Sequence, residues 1–395
     1  MEGNAVEDRT PGGQETASRS ALFLTTKDMN RLGAGGQRYS VGVVQLIRKS
    51  GFFDRIEAES TRARPDQPTS RQERLFHLGR SMFSSLPEKA FAGVSPSRMR
   101  AIGQAMAGSH AAYLFDNCET LWLMDRFPVS GARVLVSHSI EHLLWRDRVE
   151  TDTRFPFWLR PILRRDVAKL KHLETDGVRR AGNLWINSLT EAEWFREVTP
   201  DLNLVVVPPI FGELEDLPDL PAIPSKPLRL GFLGTMSWWP NAEGLDWLID
   251  SVLPGLDPAA IELHVFGGGS ESYSDRRANV FGHGFVDDIN DVWNSIDVVA
   301  CPIFSGAGIN VKFAEARFRG KPMLATNFAA RGLPEASGDA LLLMDSAEEW
   351  IEFLKSSALE EFALSRPSES ARRRYADSSY LDDVYSFFDR AVNGA

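Results

Sequence analysis

Short apolar runs alternate with longer amphipathic stretches along most of this sequence. In the first half the apolar runs lie at residues 21–26, 112–117, 133–139, 183–188 and 203–208. Amphipathic stretches that suit helices lie between them, at residues 37–49, 97–107 and 165–180. This alternation is typical of an α/β fold in which helices cover a parallel sheet.

A proline-rich segment interrupts the alternation, with six prolines between residues 208 and 227. The pattern then restarts with apolar runs at residues 228–234, 261–266, 278–282, 297–303, 321–326 and 340–344. Helical stretches follow the runs, for example at 242–252 and 311–319. A proline-rich stretch is typical of a linker, and a chain of 395 residues exceeds what one core usually supports. The sequence therefore predicts two doubly wound, Rossmann-like domains that face each other across a cleft.

We place the domain boundaries where the composition changes. Residues 1–19 form a polar tail that we expect to be disordered, residues 20–210 a first domain, residues 211–227 the linker and residues 228–375 a second domain. The tail lacks the apolar core of a signal peptide. No apolar run approaches the roughly 18 residues that a membrane-spanning helix needs. We therefore expect a cytoplasmic protein that is soluble or peripheral to a membrane.

Charge and cysteine content exclude several classes of protein. The net charge of -10 and the pI near 5.3 argue against a general nucleic-acid binder, so an anionic ligand has to meet a local basic patch. The two cysteines, Cys118 and Cys301, provide neither a disulfide framework nor a zinc ligand set. A reducing compartment fits this content.

A glycine turn precedes a predicted helix at residues 305–322. Gly306 and Gly308 let the backbone approach a ligand closely, and the amides from Gly306 through Ile309 to Asn310, at the start of that helix, favour an anion. Lys312 and Glu315 share one helix face. This layout suits a nucleotide diphosphate, with Lys312 at the diphosphate and Glu315 at the ribose diol. In the alternative interpretation, the glycines only turn the chain and Lys312 forms a surface ion pair with Glu315.

The second half resembles the donor-binding domain of retaining glycosyltransferases of the GT-B fold, specifically family 4. The matching segments occur in the family's order at residues 230–244, 262–269, 284–288, 306–312 and 315–322. The first half resembles the acceptor domain of the same enzymes more loosely, at residues 33–37, 136–141 and 174–209. The resemblance implies that a closing helix within residues 376–395 crosses back onto the first domain.

The resemblance also implies roles for individual residues of the donor site. Glu315 matches the second of the family's paired glutamates, which usually holds the ribose hydroxyls, whereas the position of the first is Ala307. The Arg and Lys that commonly hold the diphosphate are absent from the segment that contains Gly234, so Lys312 is the best remaining cation. We assign Gly36 and Gly234 to donor binding together with Gly306, Gly308, Ile309 and Asn310, although Gly36 as a plain turn needs no function.

His138 follows a predicted strand of the first domain, where the family often has a histidine that faces the anomeric carbon and the phosphate of the donor. A histidine can donate to a phosphate oxygen or orient an acceptor hydroxyl near neutral pH. We therefore predict that His138 is catalytic. Glu141 and His142 are close enough in sequence to compete for that role, and a histidine at such a position is also often a structural residue.

Two acidic pairs, Asp287-Asp288 and Asp382-Asp383, raise the question of a metal. Such pairs are more often solvated or helix-capping, and we predict no essential metal and no cofactor. The segment from Arg154 to Lys171 holds six basic residues and one acidic residue, interleaved with aromatic residues. This composition suits contact with an anionic membrane. It also fits a helix that packs on the sheet and leaves its charges in solvent.

The resemblance implies a retaining glycosyltransferase that moves a sugar from a nucleotide-diphosphate donor to a hydroxyl of a glycan or lipid-linked glycan in polysaccharide biosynthesis. Two alternatives stay open. One is a sugar-nucleotide epimerase of the same fold. The other is a catalytically silent nucleotide-sugar-binding subunit of a polysaccharide assembly, which the missing Glu, Arg and Lys residues favour.

Overall fold

The structure, a computed structural model, describes residues 19–29, 35–65, 69–152, 155–218, 224–306 and 308–394. The predicted disordered tail up to residue 18, Arg154, Ala307, Gly33 and part of the predicted linker lie outside the described residues. Arg19, the last residue of the predicted tail, is described. Its backbone N–H donates to the Asp54 carboxylate over 2.7 Å.

The first half forms a six-stranded parallel sheet with strand order β2-β1-β3-β4-β5-β6. Its strands are β1 (Ser20–Thr25), β2 (Arg55–Ser60), β3 (Ala112–Asp116), β4 (Ala132–Ser137), β5 (Gly182–Ile186) and β6 (Asn203–Val206). Its helices are α1 (Gly35–Ser50), α2 (Arg71–Met82), α3 (Glu88–Gly93), α4 (Met99–Met106), α5 (Leu123–Arg126), α6 (Glu141–Thr151), α7 (Arg160–Ala181) and α8 (Leu189–Val198). All but one of these strands overlap a predicted apolar run; β2 was missed.

The second half forms another six-stranded parallel sheet, with order β12-β11-β10-β7-β8-β9. Its strands are β7 (Leu228–Leu233), β8 (Ile261–Phe266), β9 (Val280–Gly284), β10 (Val298–Cys301), β11 (Met323–Ala325) and β12 (Leu341–Leu343). Its helices are α9 (Trp239–Trp247), which continues as a π-helical turn at Leu248–Val252, α10 (Ile289–Ser295), α11 (Val311–Phe318), α12 (Ala347–Lys355), α13 (Ala358–Leu364) and α14 (Glu369–Arg373). The predicted fold class, two doubly wound α/β domains, is confirmed.

The last helix, α15 (Leu381–Asn393), packs against the first domain. The ring of Phe388 lies 4.9 Å from that of Phe53, in an edge-to-face arrangement, and Asn203 of β6 donates to the Phe387 carbonyl over 3.1 Å. Val384, Phe387 and Phe388 are fully buried on that face. Burial of large aromatic side chains holds the crossing helix in place, so the chain ends on the domain in which its described part begins.

Candidate functional site

The loops that follow β4 and β10 meet between the two domains. His138 follows β4, Gly36 lies in the first turn of α1, and the glycine turn after β10 leads into α11. A Cβ on Gly35 would lie 3.3 Å from Val311 Cβ, so the starts of α1 and α11 are in contact. Ligands of doubly wound sheets bind outside the carboxyl ends of the strands. The fold therefore brings the predicted residues of both halves to one interface.

His138 is held by a buried carboxylate. Its Nε2 lies 2.6 Å from Asp116 Oδ1, and Asp116 is fully buried. The other oxygen of Asp116 accepts hydrogen bonds from Thr25 Oγ1 at 2.5 Å and from Ser40 Oγ at 2.9 Å. Tyr39 packs edge-to-face on the His138 ring with a centroid distance of 5.0 Å. These contacts fix the orientation of the imidazole.

This arrangement leaves one ring nitrogen of His138 available to a ligand. Burial acts to raise the pKa of Asp116, but the charge of His138 and its hydrogen bond outweigh burial, and the pKa lies below its usual range. Because the ionised carboxylate holds Nε2, Nδ1 is the nitrogen that can exchange a proton or a hydrogen bond with a ligand. A Cβ on Gly36 would lie 3.7 Å from Nδ1, so the exposed start of α1 borders this nitrogen.

Gly308 joins the domains instead of lying open to a ligand. Its φ is +70°, and a Cβ there would lie 2.6 Å from the His138 carbonyl oxygen. Its N–H donates to Glu191 Oε1 over 3.3 Å, and its carbonyl accepts from Arg331 Nη2 over 3.0 Å. The glycine is needed for this close approach. The amide of Gly308, predicted to bind an anion, therefore has a carboxylate partner in this structure.

Glu191 was missed by the sequence analysis and lies at the centre of that contact. The same oxygen that binds Gly308 accepts from the Ile140 N–H over 3.4 Å, while Oε2 is buried without a hydrogen-bond partner among the described residues. Burial raises the pKa of Glu191 to about 7, although the hydrogen bonds from Ile140 and Gly308 lower it. This carboxyl group links the domains and titrates near neutral pH.

Lys312 points toward the loop after β7. Its Nζ donates to Asn241 Oδ1 over 2.5 Å and lies 4.7 Å from the centroid of the Phe232 ring. The Asn241 amide in turn donates to the Thr235 carbonyl over 3.0 Å. Burial lowers the pKa of Lys312 to about 8. Lys312 does not pair with Glu315, so the surface ion pair of the alternative interpretation is absent.

Glu315 is buried and is already bonded. Its Oε2 accepts from Arg38 of α1 over 2.6 Å, and its Oε1 lies 3.4 Å from Trp293 Nε1 and 3.7 Å from Arg319 Nη2. The ion pair with Arg38 crosses the domain interface. A solvent-facing position for Glu315 is thereby excluded, and a ribose diol has to displace Arg38 to reach this carboxylate.

The other predicted donor residues lie around Lys312. Gly234 packs against Asn241, because a Cβ there would lie 2.6 Å from Asn241 Nδ2, and Gly306, with φ +117°, packs against Pro240. Ile309 is buried, and the Asn310 side chain donates to Cys301 Sγ over 3.1 Å. Asn241, which the sequence analysis did not single out, therefore connects the glycine after β7 with Lys312.

Glu141 and His142, the competitors of His138, have structural surroundings. Lys89 and Ser139 bind the Glu141 carboxylate. Burial acts to raise the pKa of Glu141, but the Lys89 charge and these bonds outweigh it and lower the pKa to about 2. His142 Nδ1 lies 2.5 Å from Glu174 Oε2, and the pair is buried. Of the three candidates, His138 alone borders the domain interface.

The acidic pairs do not assemble into a larger cluster. Asp288 caps α10 through a 2.8 Å hydrogen bond from the Asn290 N–H. Within the described parts of the chain, no group of three or more His, Cys, Asp and Glu side chains is placed to hold a metal ion. The described helices also include none that is both long and apolar enough to cross a membrane.

One region of the chain matches a known protein family. Residues 227–356 match the family described as "Glycosyl transferases group 1". This match covers most of the predicted second domain and confirms the resemblance that its motifs indicated. No curated protein matches the sequence.

Solved structures share the fold along nearly the whole chain. A sucrose-phosphate synthase from Thermosynechococcus elongatus superposes with a TM-score of 0.65 at 15% identity, covering 96% of this chain and 100% of its own. Anabaena Alr3699/HepE in complex with UDP and glucose gives 0.60 at 14% identity, covering 93% and 98%. WaaG, a glycosyltransferase involved in lipopolysaccharide biosynthesis, gives 0.55 at 15% identity, covering 94% and 98%. At these identities the likeness shows a shared GT-B fold.

Proposed function

We propose that this chain is a retaining glycosyltransferase, because residues 227–356 match the glycosyl transferases group 1. It takes a sugar from a nucleotide-diphosphate donor and adds it to a hydroxyl of a glycan or lipid-linked glycan. The structure of Anabaena HepE with UDP and glucose supports a donor of this kind for a chain of this fold.

One observation carries the proposal. The imidazole of His138, fixed by Asp116 on the first domain, lies at the interface that the glycine turn of the second domain also forms. Lys312 lies on the first turn of the helix that follows the turn. A donor bound with its diphosphate at Lys312 and the first amides of α11 presents its anomeric carbon to the loop that carries His138.

The mechanism we propose uses the departing phosphate. We assign no carboxylate as the nucleophile, because Asp116 binds His138 and Thr25 and Glu191 accepts the Ile140 and Gly308 N–H groups through Oε1. We therefore favour front-face transfer, in which the leaving phosphate helps to deprotonate the acceptor hydroxyl. The positive charge of Lys312 and the first amides of α11 stabilise the developing charge on the phosphate, and His138 orients the acceptor hydroxyl or donates to the phosphate. This scheme needs no metal ion.

A panel of sugar nucleotides tests the proposal. The protein is incubated with each donor, with and without a mixture of glycan acceptors, and the products are followed by NMR of the anomeric proton. Acceptor-dependent product of unchanged anomeric configuration is expected. A new sugar nucleotide formed without acceptor would instead indicate an epimerase. Binding of nucleotide without any turnover would indicate a silent subunit.

Replacing Lys312 with methionine is expected to weaken binding of UDP by about 1.5 to 3 kcal/mol, the range of a charged hydrogen bond. Binding of uridine should hardly change, because the nucleoside lacks the diphosphate. The affinity of the unaltered protein should fall as the pH rises above about 8, where Lys312 loses its proton, and the variant should lack that dependence. Calorimetry between pH 7 and 10 measures both effects.

Lys355 provides the matched control, because it is exposed at the end of α12. Lys355→Met should leave the affinity and its pH dependence unchanged. Equal losses for UDP and uridine in Lys312→Met would show that Lys312 is structural and would contradict its assignment to the diphosphate.

Glu315→Ala is expected to weaken binding of the nucleoside as well as of the diphosphate, by about 1.5 to 3 kcal/mol, because the lost carboxylate bonds involve the ribose. Arg38→Ala should strengthen binding of uridine and UDP or leave it unchanged, since it removes the partner that the ribose has to displace. Calorimetry with uridine and UDP measures both variants. Unchanged affinity in Glu315→Ala would remove this carboxylate from the ribose site.

The segment that we predicted to contact a membrane, from Arg154 to Lys171, has a more apolar and less charged surface in its described part than its composition indicates. Phe157 is 84% exposed and Trp158 63% exposed. Arg164 forms two hydrogen bonds of 2.7 Å with Glu150, and Lys169 binds the Ser81 carbonyl, so part of the positive charge is neutralised or engaged. We propose that the two aromatic residues enter the surface of an anionic membrane and that Arg160 and Arg165 attract it.

Vesicle flotation tests this contact. We expect the protein to float with vesicles that contain phosphatidylserine at low salt and to be released at high salt, because a basic residue near the surface contributes about 1 kcal/mol and salt screens it. The double variant Phe157→Ser with Trp158→Ser should not float. Leu364→Ser, which removes an exposed apolar side chain of the second domain, should float normally. If the unaltered protein does not float with such vesicles at low salt, the membrane contact is wrong and a soluble acceptor is favoured.

A further inference from the structure

A cavity of about 250 Å³ is lined by residues of both domains. Its floor includes Thr26 and Lys27, which directly follow β1, and its far side includes Trp238 and Trp239 of the second domain. Thr25, the last residue of β1, donates to the same carboxylate that holds His138. The cavity is therefore adjacent to the proposed reaction centre, on the side that belongs mainly to the first domain.

The cavity is positively charged within an acidic protein. Five basic side chains line it against two acidic ones, whereas the whole chain carries a net charge of -10. Lys89 pairs with Glu141. Lys27 and Arg74 form no ion pair with any carboxylate of the described residues. Burial and the nearby charge of Asp166 raise the pKa of Glu88, one of the two acids, to about 7. Glu88 and Glu119 together carry less negative charge than the five basic side chains carry positive charge, so the lining keeps a net positive charge at neutral pH.

Three tryptophans share the lining with these cations. Trp238 is 40% exposed, Trp145 lies under the guanidinium of Arg148 at 5.3 Å, and the Trp239 Nε1 atom is buried with no hydrogen-bond partner among the described residues. Indole rings present a large apolar face together with one polar N–H group. The C–H face of a sugar ring suits such a surface, and a buried N–H without a partner favours a ligand acceptor atom.

A second cavity continues away from the reaction centre. It measures about 460 Å³ and shares Arg62, Thr69 and Ala92 with the first. It extends to Phe76 and His77 of α2, and Phe76 is largely exposed. The two cavities together form a groove that is longer than one sugar ring and that runs from the reaction centre to the outside of the first domain.

From this charge and shape we infer that the acceptor is an anionic glycan, with a phosphate or carboxylate group held by Lys27 and Arg74 and a sugar ring on the tryptophans. The inference rests on the proposed glycosyl transfer and names the class of acceptor that the first domain selects. Cations and aromatic faces together distinguish such a glycan from a neutral one, since a neutral sugar leaves the cations without a counter-charge.

Binding of three probes that differ in one group tests the inference. Glucose, glucuronate and glucose 6-phosphate are titrated into the full chain with saturating UDP, and tryptophan fluorescence reports binding because tryptophans line the cavity. We expect at least one of the anionic sugars to bind about tenfold or more tightly than glucose. Whether glucuronate or glucose 6-phosphate binds better distinguishes a carboxylate acceptor from a phosphorylated one.

Arg74→Gln and Lys27→Gln should each reduce this preference about tenfold without changing the affinity for UDP. Arg100→Gln, which removes an exposed charge of α4 outside the cavity, should keep the preference. Equal binding of glucose and both anionic sugars, or unchanged anion binding in Arg74→Gln, would overturn the inference while UDP still binds. If the unaltered protein does not bind UDP at all, the proposed function itself is contradicted.

Discussion

The variant His138→Ala is expected to turn over its donor about 10²- to 10⁴-fold more slowly than the unaltered protein, the usual contribution of a positioned acid or base. Its affinity for UDP should stay nearly the same, because the predicted nucleotide contacts other than Gly36 lie on the second domain. Single-turnover transfer combined with UDP calorimetry separates the two effects. Asp116→Asn should also be slow, since an amide in place of the carboxylate no longer holds the imidazole as an ionised partner.

His172 supplies the control for this prediction, because it is an exposed histidine on α7. His172→Ala should have normal turnover and normal UDP affinity. Turnover at the normal rate in His138→Ala would remove His138 from the reaction centre. Since Glu141 and His142 are buried in structural contacts, the search would then turn to Glu191.

Glu174→Ala is expected to lower the free energy of unfolding by about 3 kcal/mol or more, because several buried donors lose their acceptor and each such group costs about 1 to 3 kcal/mol. Glu174 is only 1% exposed. Its carboxylate accepts from the Glu141 N–H at 3.0 Å, the His142 N–H at 3.3 Å and His142 Nδ1 at 2.5 Å. The variant leaves these buried donors at the start of α6 without an acceptor.

Urea unfolding followed by circular dichroism measures this loss. Glu193→Ala, which removes an exposed carboxylate from α8, should change the free energy of unfolding by less than about 0.5 kcal/mol. A Glu174→Ala variant as stable as Glu193→Ala would show that water reaches the start of α6. It would also show that leaving these N–H donors without the Glu174 carboxylate costs less free energy than their burial indicates.

The sequence predicted most of the fold because a parallel sheet covered on both faces leaves a strong local signal. Its strands are short and several are wholly apolar, as in β10 and β11, and each predicted run overlaps a strand. The strand β2 was not predicted because its sequence is Arg-Ile-Glu-Ala-Glu-Ser. It lies at the edge of its sheet. Only one residue of β2 is buried, so charged residues interrupt its apolar pattern.

The sequence also indicated which part of the chain resembles the family, since the matching segments of the second half fall inside residues 227–356. The glycines, Lys312 and Glu315 could be read from spacing and resemblance. Their partners could not. Arg38 lies 277 residues from Glu315, Asn241 71 residues from Lys312, and Glu191 117 residues from Gly308.

The sequence by itself thus determined two α/β domains and a helix that begins with a glycine turn, because hydrophobic periodicity and turn chemistry are local properties of the chain. Tertiary structure alone decided which polar groups are free. It buried Glu141 and His142 in structural contacts and left His138 at the interface, and it placed Gly308 against the first domain. Burial and hydrogen bonding depend on which loops meet at the carboxyl ends of the sheets, and residues distant in sequence supply those loops.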